Sequence, residues 1–102
     1  MYNEMVERGT PDLLFDWDGD NTSHLARHCI EPLEVEELFG NDPVLRGHEV
    51  VGGEDRWTAV GITRSLRVLV LVFTMRGEKL RAITGWEADR RTKKQYFLER
   101  GT

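Results

Sequence analysis

Six consecutive apolar residues, Val68-Leu69-Val70-Leu71-Val72-Phe73, constrain the fold more than any other stretch of this chain. A strand that alternates apolar with polar residues leaves one face wet, whereas a strand apolar at every position must be covered on both faces and so belongs in the middle of a sheet. Trp57 to Ile62 and Leu80 to Thr84 are strand candidates on either side of it. Arg76-Gly77-Glu78-Lys79 reads as a hairpin connection and Gly52-Gly53 as a turn. With such short loops between residues 57 and 84, an antiparallel meander is the economical topology.

The sequence before this region has a different character. Residues 1–12 form a polar leader closed by Pro11 and Asp12, and residues 13–102 are read as one domain, since 102 residues suffice for a single modest core. Leu13 to Asp18 places Leu13, Phe15 and Trp17 on one face and Leu14, Asp16 and Asp18 on the other, as a short half-buried strand would. Asp20 or Asn21 can cap a helix from about Thr22 to Cys29. Pro32 suits the first turn of a second helix with Val35, Leu38 and Phe39 as its apolar stripe, ended by Gly40 and Asn41-Asp42-Pro43. After the meander, Thr84-Gly85-Trp86-Glu87 has the spacing of a capping box, which predicts a helix from about Trp86 to Glu99. The expected class is therefore α+β: an N-terminal strand and two short helices, an antiparallel meander of three to four strands, and a C-terminal helix.

Composition excludes several classes. Hydrophobic content of 39% and charged content of 31% suit a globular protein rather than a disordered one. No apolar run approaches the roughly 20 residues of a membrane helix, and no basic start leads into an apolar run at the N-terminus, so neither a membrane nor a secretory route is expected. The lone Cys29 has no internal disulfide partner, which fits a reducing, cytoplasmic setting.

The acidic motifs near the start offer little chemistry. Asp16-Trp17-Asp18-Gly19-Asp20 has the look of a phosphatase nucleophile segment, yet no later acidic pair for magnesium follows. An EF-hand reading requires Gly at its sixth place and Glu at its twelfth, where this chain has Asn21 and Arg27. His24 and His28 are four apart, a metal-ligand spacing without a third ligand nearby, and no phosphate loop exists. Neither metal nor cofactor is expected.

Charge carries more. Residues 1–50 hold three Lys or Arg against twelve Asp or Glu, and residues 51–102 hold eleven against six, so net charges of -9 and +5 lie in series along the chain. Guanidinium groups stay charged at every physiological pH and grip phosphate oxygens through paired hydrogen bonds. Arg81 falls in the middle of a strand, where a charge is costly unless its face is a cleft or open to solvent. Arg90, Arg91, Lys93 and Lys94 have a simpler explanation in decoration of a solvated helix face.

Taken in order, Phe15-Asp16-Trp17-Asp18, Asn21, Arg27-His28, Glu36-Glu37-Leu38-Phe39 and Asp42-Pro43 resemble the first half of the BrnT toxin family. Arg56-Trp57-Thr58-Ala59-Val60-Gly61, Arg67-Val68-Leu69-Val70-Leu71, Thr74-Met75-Arg76-Gly77, Leu80-Arg81-Ala82-Ile83 and Arg90-Arg91 with Tyr96 continue the resemblance through the second half. It implies a RelE-like fold and metal-independent RNA cleavage, with the 2′-hydroxyl of the RNA as nucleophile. By the same resemblance Arg56, Arg81, Tyr96 and His28 are the catalytic candidates, the last two for proton transfer. Arg76, Arg67 and Arg91 are the RNA-binding candidates. The implied partners are an RNA substrate and a ribbon-helix-helix antitoxin of the BrnA type, through which alone the toxin reaches operator DNA.

Two departures bear on activity. Where the family usually reads Ser-Ala-Arg-Lys-Ala after the last strand, this chain reads Thr84-Gly85-Trp86-Glu87-Ala88, and its Cys29 replaces the glycine usual after the histidine. Loss of two cations weakens phosphate contacts, each worth about 1.5 to 3 kcal/mol. The alternative reading is a catalytically degenerate toxin fold that binds an antitoxin-like partner or RNA without cleaving it. A third is a small interaction domain whose likeness to the family is fortuitous.

Overall fold

The computed structural model describes residues 13–100, so the leader assigned to residues 1–12 lies outside the described residues. The chain runs β1 (Leu14–Phe15), α1 (Gly19–Ala26), α2 (Pro32–Gly40), β2 (Val44–Val51), β3 (Glu54–Ile62), β4 (Val68–Arg76), β5 (Lys79–Glu87) and α3 (Arg90–Glu99). The strands form one sheet in the order β1-β5-β4-β3-β2, with the apolar β4 in the centre as its two-faced hydrophobicity requires. Strands β3 to β5 make the expected antiparallel meander, and β2 adds a further antiparallel strand beside β3. The helix, sheet, helix order also matches expectation.

The two faces of β4 have different partners. Leu69 and Leu71 pack with Leu25 of α1, Ile30 of the connection that follows it, and Val35 and Leu38 of α2, and Phe73 continues that core with Ala59 and Leu80. Val68 and Val70 point the other way and pack with Val60, Ala88 and Tyr96 of α3. Close approach of α2 to the sheet depends on Gly61, where a Cβ would come within 2.6 Å of Leu38 Cγ.

Several local expectations are corrected. The first strand is shorter than Leu13 to Asp18 and pairs in parallel with β5 through Leu14↔Lys79 and Phe15↔Leu80, which makes the sheet mixed. The chain leaves it early because Asp18, rather than Asp20 or Asn21, caps α1: its carboxylate accepts from the backbone amides of Asp20 and Asn21. Asn21 has a different task. Its side-chain amide donates to the carbonyls of Asp16 and Ala82, supplying hydrogen bonds along the edge of β5 where β1 has ended.

Helix α1 also ends before Cys29, which lies in a turn at φ 59°. An L-residue in this left-handed conformation costs about 1 to 2 kcal/mol, and the strain falls where the family resemblance expects glycine. No capping box forms at Thr84. Strand β5 instead runs on to Glu87, because the ladder to β4 continues through Trp86↔Val70 and Glu87↔Leu69, and Asp89 caps α3 by accepting from the Thr92 amide. Strand β2 had no clear signature, since a register shift between Leu45 and Gly47 interrupts its alternation.

Candidate functional site

Strand register decides which arginines meet. Arg81 stands opposite Thr74 on β4, and Arg76, two residues further along β4, shares the Thr74 face. On β3, Trp57 pairs with Phe73 on the α1/α2 side, so the preceding residue, Arg56, lies beside Thr74 on the other face. Arg56, Arg76 and Arg81 thus come from three neighbouring strands to one face. With strands about 4.8 Å apart, the backbones at Arg56 and Arg81 are separated by roughly 10 Å.

Each of these cations has an acidic neighbour. Arg81 is 9% exposed, and its Nη2 donates to Asp18 Oδ1 at 3.1 Å. Its Nη1 lies 3.0 Å from Asp18 Oδ2 and 3.7 Å from Asp16 Oδ1, close enough for ion pairing but completing no hydrogen bond. Glu54 lies between the other two, 3.3 Å from Arg56 and 3.7 Å from Arg76. The three guanidinium groups are therefore balanced by the carboxylates of Asp16, Asp18 and Glu54.

The Arg81 hydrogen bond, followed by the Asn21 amide, holds the Asp18 carboxyl below its ordinary value near 3.8. Asp18 in turn raises Arg81. A carboxyl depressed on folding contributes its full stability above its unfolded pKa and loses that contribution as the pH falls through the folded value. Asp18→Asn keeps a good helix cap while deleting the charge. Wild type should therefore melt above Asp18→Asn at pH 7, and the gap should close as the pH is lowered beyond 3.8. A gap of constant size down to pH ~2 would exclude the charge as its cause.

The remaining candidates are dispersed. Tyr96 is 2% exposed and packed against Val60, Val68 and Val70. It shares the sheet face of Arg81, but the Val70 level is four residues along β4 from the Thr74 level, roughly 13 Å away. His28 is exposed beyond the C-terminal end of α1, and its ring centroid is 5.9 Å from that of His24. Arg67 faces a different neighbourhood: Nη1 donates to Glu34 and to the Cys29 carbonyl, and Nη2 lies 3.5 Å from Glu87. That geometry ties the turn after α1 and the start of α2 to the sheet. Arg91 is exposed on the first turn of α3.

A family model described as the ribonuclease toxin BrnT of type II toxin-antitoxin systems matches residues 17–92. The chain belongs to the BrnT family. No curated protein matches it. BrnT membership makes RNA the substrate and an antitoxin the partner. The matched span contains Asp18, His28, Arg56, Arg67, Arg76, Arg81 and Arg91, and stops before Tyr96.

Sequence reasoning missed the counterions. Asp18 lies 63 residues from Arg81, and its local context offered only a strand face and an acidic motif without the rest of its machinery. His24, considered only as a metal-ligand candidate with His28, lies with Nε2 3.1 Å from Thr84 Oγ1 and so joins α1 to β5. Among the described residues, no group of three or more His, Cys, Asp or Glu side chains is placed to hold a metal ion. Among the same residues, no helix is long and apolar enough to cross a membrane. A cleft of about 610 Å³ on the outer side of α2 is lined by Leu33, Glu36, Glu37, Asn41 and Arg64, apart from the arginine face.

Proposed function

We propose that this BrnT-family chain is a metal-independent endoribonuclease with a RelE-like arrangement, in which Arg56, Arg76 and Arg81 engage RNA phosphates while the RNA's own 2′-hydroxyl attacks. The observation that carries this reading is the convergence of the three arginines on one sheet face from three neighbouring strands. Attack by the 2′-hydroxyl breaks the P–O5′ bond and leaves a cyclic phosphate and a free 5′-hydroxyl. Negative charge builds on the phosphoryl oxygens in the transition state, and fixed guanidinium groups stabilise it most when already oriented.

Asp16, Asp18 and Glu54 supply that orientation in the free protein, and an arriving phosphate competes with them for the same donors. Arg67 and Arg91 complete the proposed RNA-binding set. Arg91 offers an exposed cation, whereas Arg67 acts through the turn it ties down. For proton transfer, exposure favours His28, which can exchange protons with solvent, over the buried Tyr96. The antitoxin is proposed to be a ribbon-helix-helix protein of the BrnA type that carries the pair to operator DNA, with the toxin acting in the cytoplasm.

A second reading, a toxin fold that binds RNA or its antitoxin without cutting, is favoured by one observation: three carboxylates already balance the three arginines. Antitoxin-free protein incubated with single-stranded RNA in excess chelator separates the two. Cleavage with 5′-hydroxyl ends, abolished by 2′-O-methylation of the substrate, is expected from the first. Bound but intact RNA would establish the second.

A further inference from the structure

Trp86 falls on β5 rather than at the start of a helix, and that placement changes its role. It pairs with Val70, on the same sheet face as Arg81, and its side chain is 43% exposed. Among the described residues, its indole has neither a hydrogen bond nor a ring partner. Arg81 lies five residues before it on β5, a distance of about 16 Å along an extended strand. Beyond it, Arg90, Arg91 and Lys94 are exposed on α3. The adjacent acid, Glu87, is compensated by Arg67 at 3.5 Å and Lys93 at 3.7 Å. Along the chain, an exposed flat apolar ring therefore stands between the ion-paired Arg81 and the exposed cations of α3.

This combination matches the chemistry of a single nucleic-acid strand, which alternates charged phosphates with flat bases. Proteins that hold such strands with little regard to sequence combine a basic track with aromatic rings on which bases stack. We propose that Trp86 is a nucleobase-stacking platform in a single-stranded RNA subsite that follows β5 from the Arg81 ion pairs to the first turns of α3. The inference rests on the RNA-cleaving reading above and adds a position at which the substrate is held. The indole removes a cation from this edge of the sheet and supplies a contact of another kind, one that tolerates every base because every base has a π-face.

The test uses the full chain and a fluorescent single-stranded 2′-O-methyl RNA, which cannot supply the nucleophile and so reports binding alone. Trp86→Ala is expected to weaken binding on the order of 5- to 150-fold by anisotropy, the span that corresponds to loss of one stacked base. Trp86→Phe should retain most of the affinity, because an aromatic face remains. Because the side chain is half exposed, thermal melting should show both variants folded.

Wild-type binding with Trp86→Ala within twofold of it overturns the subsite and leaves the RNA reading standing. No binding by wild type overturns the subsite and the RNA reading together. A change in oligomeric state by light scattering in Trp86→Ala, with oligonucleotide affinity unchanged, would make the indole a protein contact and likewise overturn the proposal.

Discussion

Arg81→Gln is expected to lower the single-turnover rate of RNA cleavage by about 100- to 1,000-fold, the cost typical of deleting one preorganised donor to a developing oxyanion. Glutamine keeps much of the length and some hydrogen-bonding capacity but removes the charge and the fork of parallel donors. Arg81→Lys should recover little, because an ammonium cannot reproduce a planar two-point contact held in register by Asp18. The effect should fall on the rate at saturating RNA rather than on affinity, since other cations on the surface also attract the backbone. Measuring both quantities discriminates the outcomes. Unchanged cleavage by a folded Arg81→Gln would remove Arg81 from the chemistry. An equal loss in affinity and none in the saturated rate would make it a docking residue.

The same substitution has a structural consequence that must be read separately. Without Arg81, Asp16 and Asp18 stand near each other with no shared counterion, and the interaction that lowers the Asp18 carboxyl is lost. Asp18 has a half-exposed side chain, so solvent screens much of the repulsion and the protein should remain folded near neutrality. A melting curve at the assay pH therefore accompanies the rate.

The second large effect concerns stability. Leu71→Ala should destabilise the fold by about 2 to 5 kcal/mol, because its fully buried side chain lies on the central strand and the surrounding elements cannot collapse into the space left behind. Alpha helices α1 and α2 cover that side of the strand, and Gly85, paired with Leu71, brings no side chain that could fill the gap. Small domains usually have only about 5 to 15 kcal/mol of stability in total, so a change of this size should be visible as a shift of the denaturant midpoint. Leu45→Ala provides the contrast. Leu45 is 61% exposed on the outer strand, and its removal should alter stability by no more than about 0.5 kcal/mol. Equal effects at the two positions would show that the core is not organised around β4.

Much of the architecture was legible because short-range patterns reported it. The unbroken apolar run of β4, the stripe of Val35, Leu38 and Phe39, and the glycine turn at Gly77 each depend on neighbours a few residues away. Strand β2 is not legible in this way, because its outer position and register shift leave little alternation to read. The false helix start at Thr84 arose from a genuine capping pattern that lost to tertiary structure. Completing the ladder beside Val70 and Leu69 satisfies several backbone groups that an early helix would have left without strand partners.

For the functional surface the division is sharper. Sequence alone determined the charge asymmetry and the apolar centre of the sheet, because those properties belong to residue type and local order, and the resemblance to the BrnT family singled out the arginines worth testing. Tertiary structure decided which of them meet. Strand register brings Arg56, Arg76 and Arg81 to one face and the fold sets Asp16, Asp18 and Glu54 against them, while Tyr96 is buried between α3 and the sheet and Arg67 is tied to Glu34. The physical reason is that a guanidinium's effect depends on distance, orientation and counterions, and residues 63 positions apart acquire those only when the strands pair.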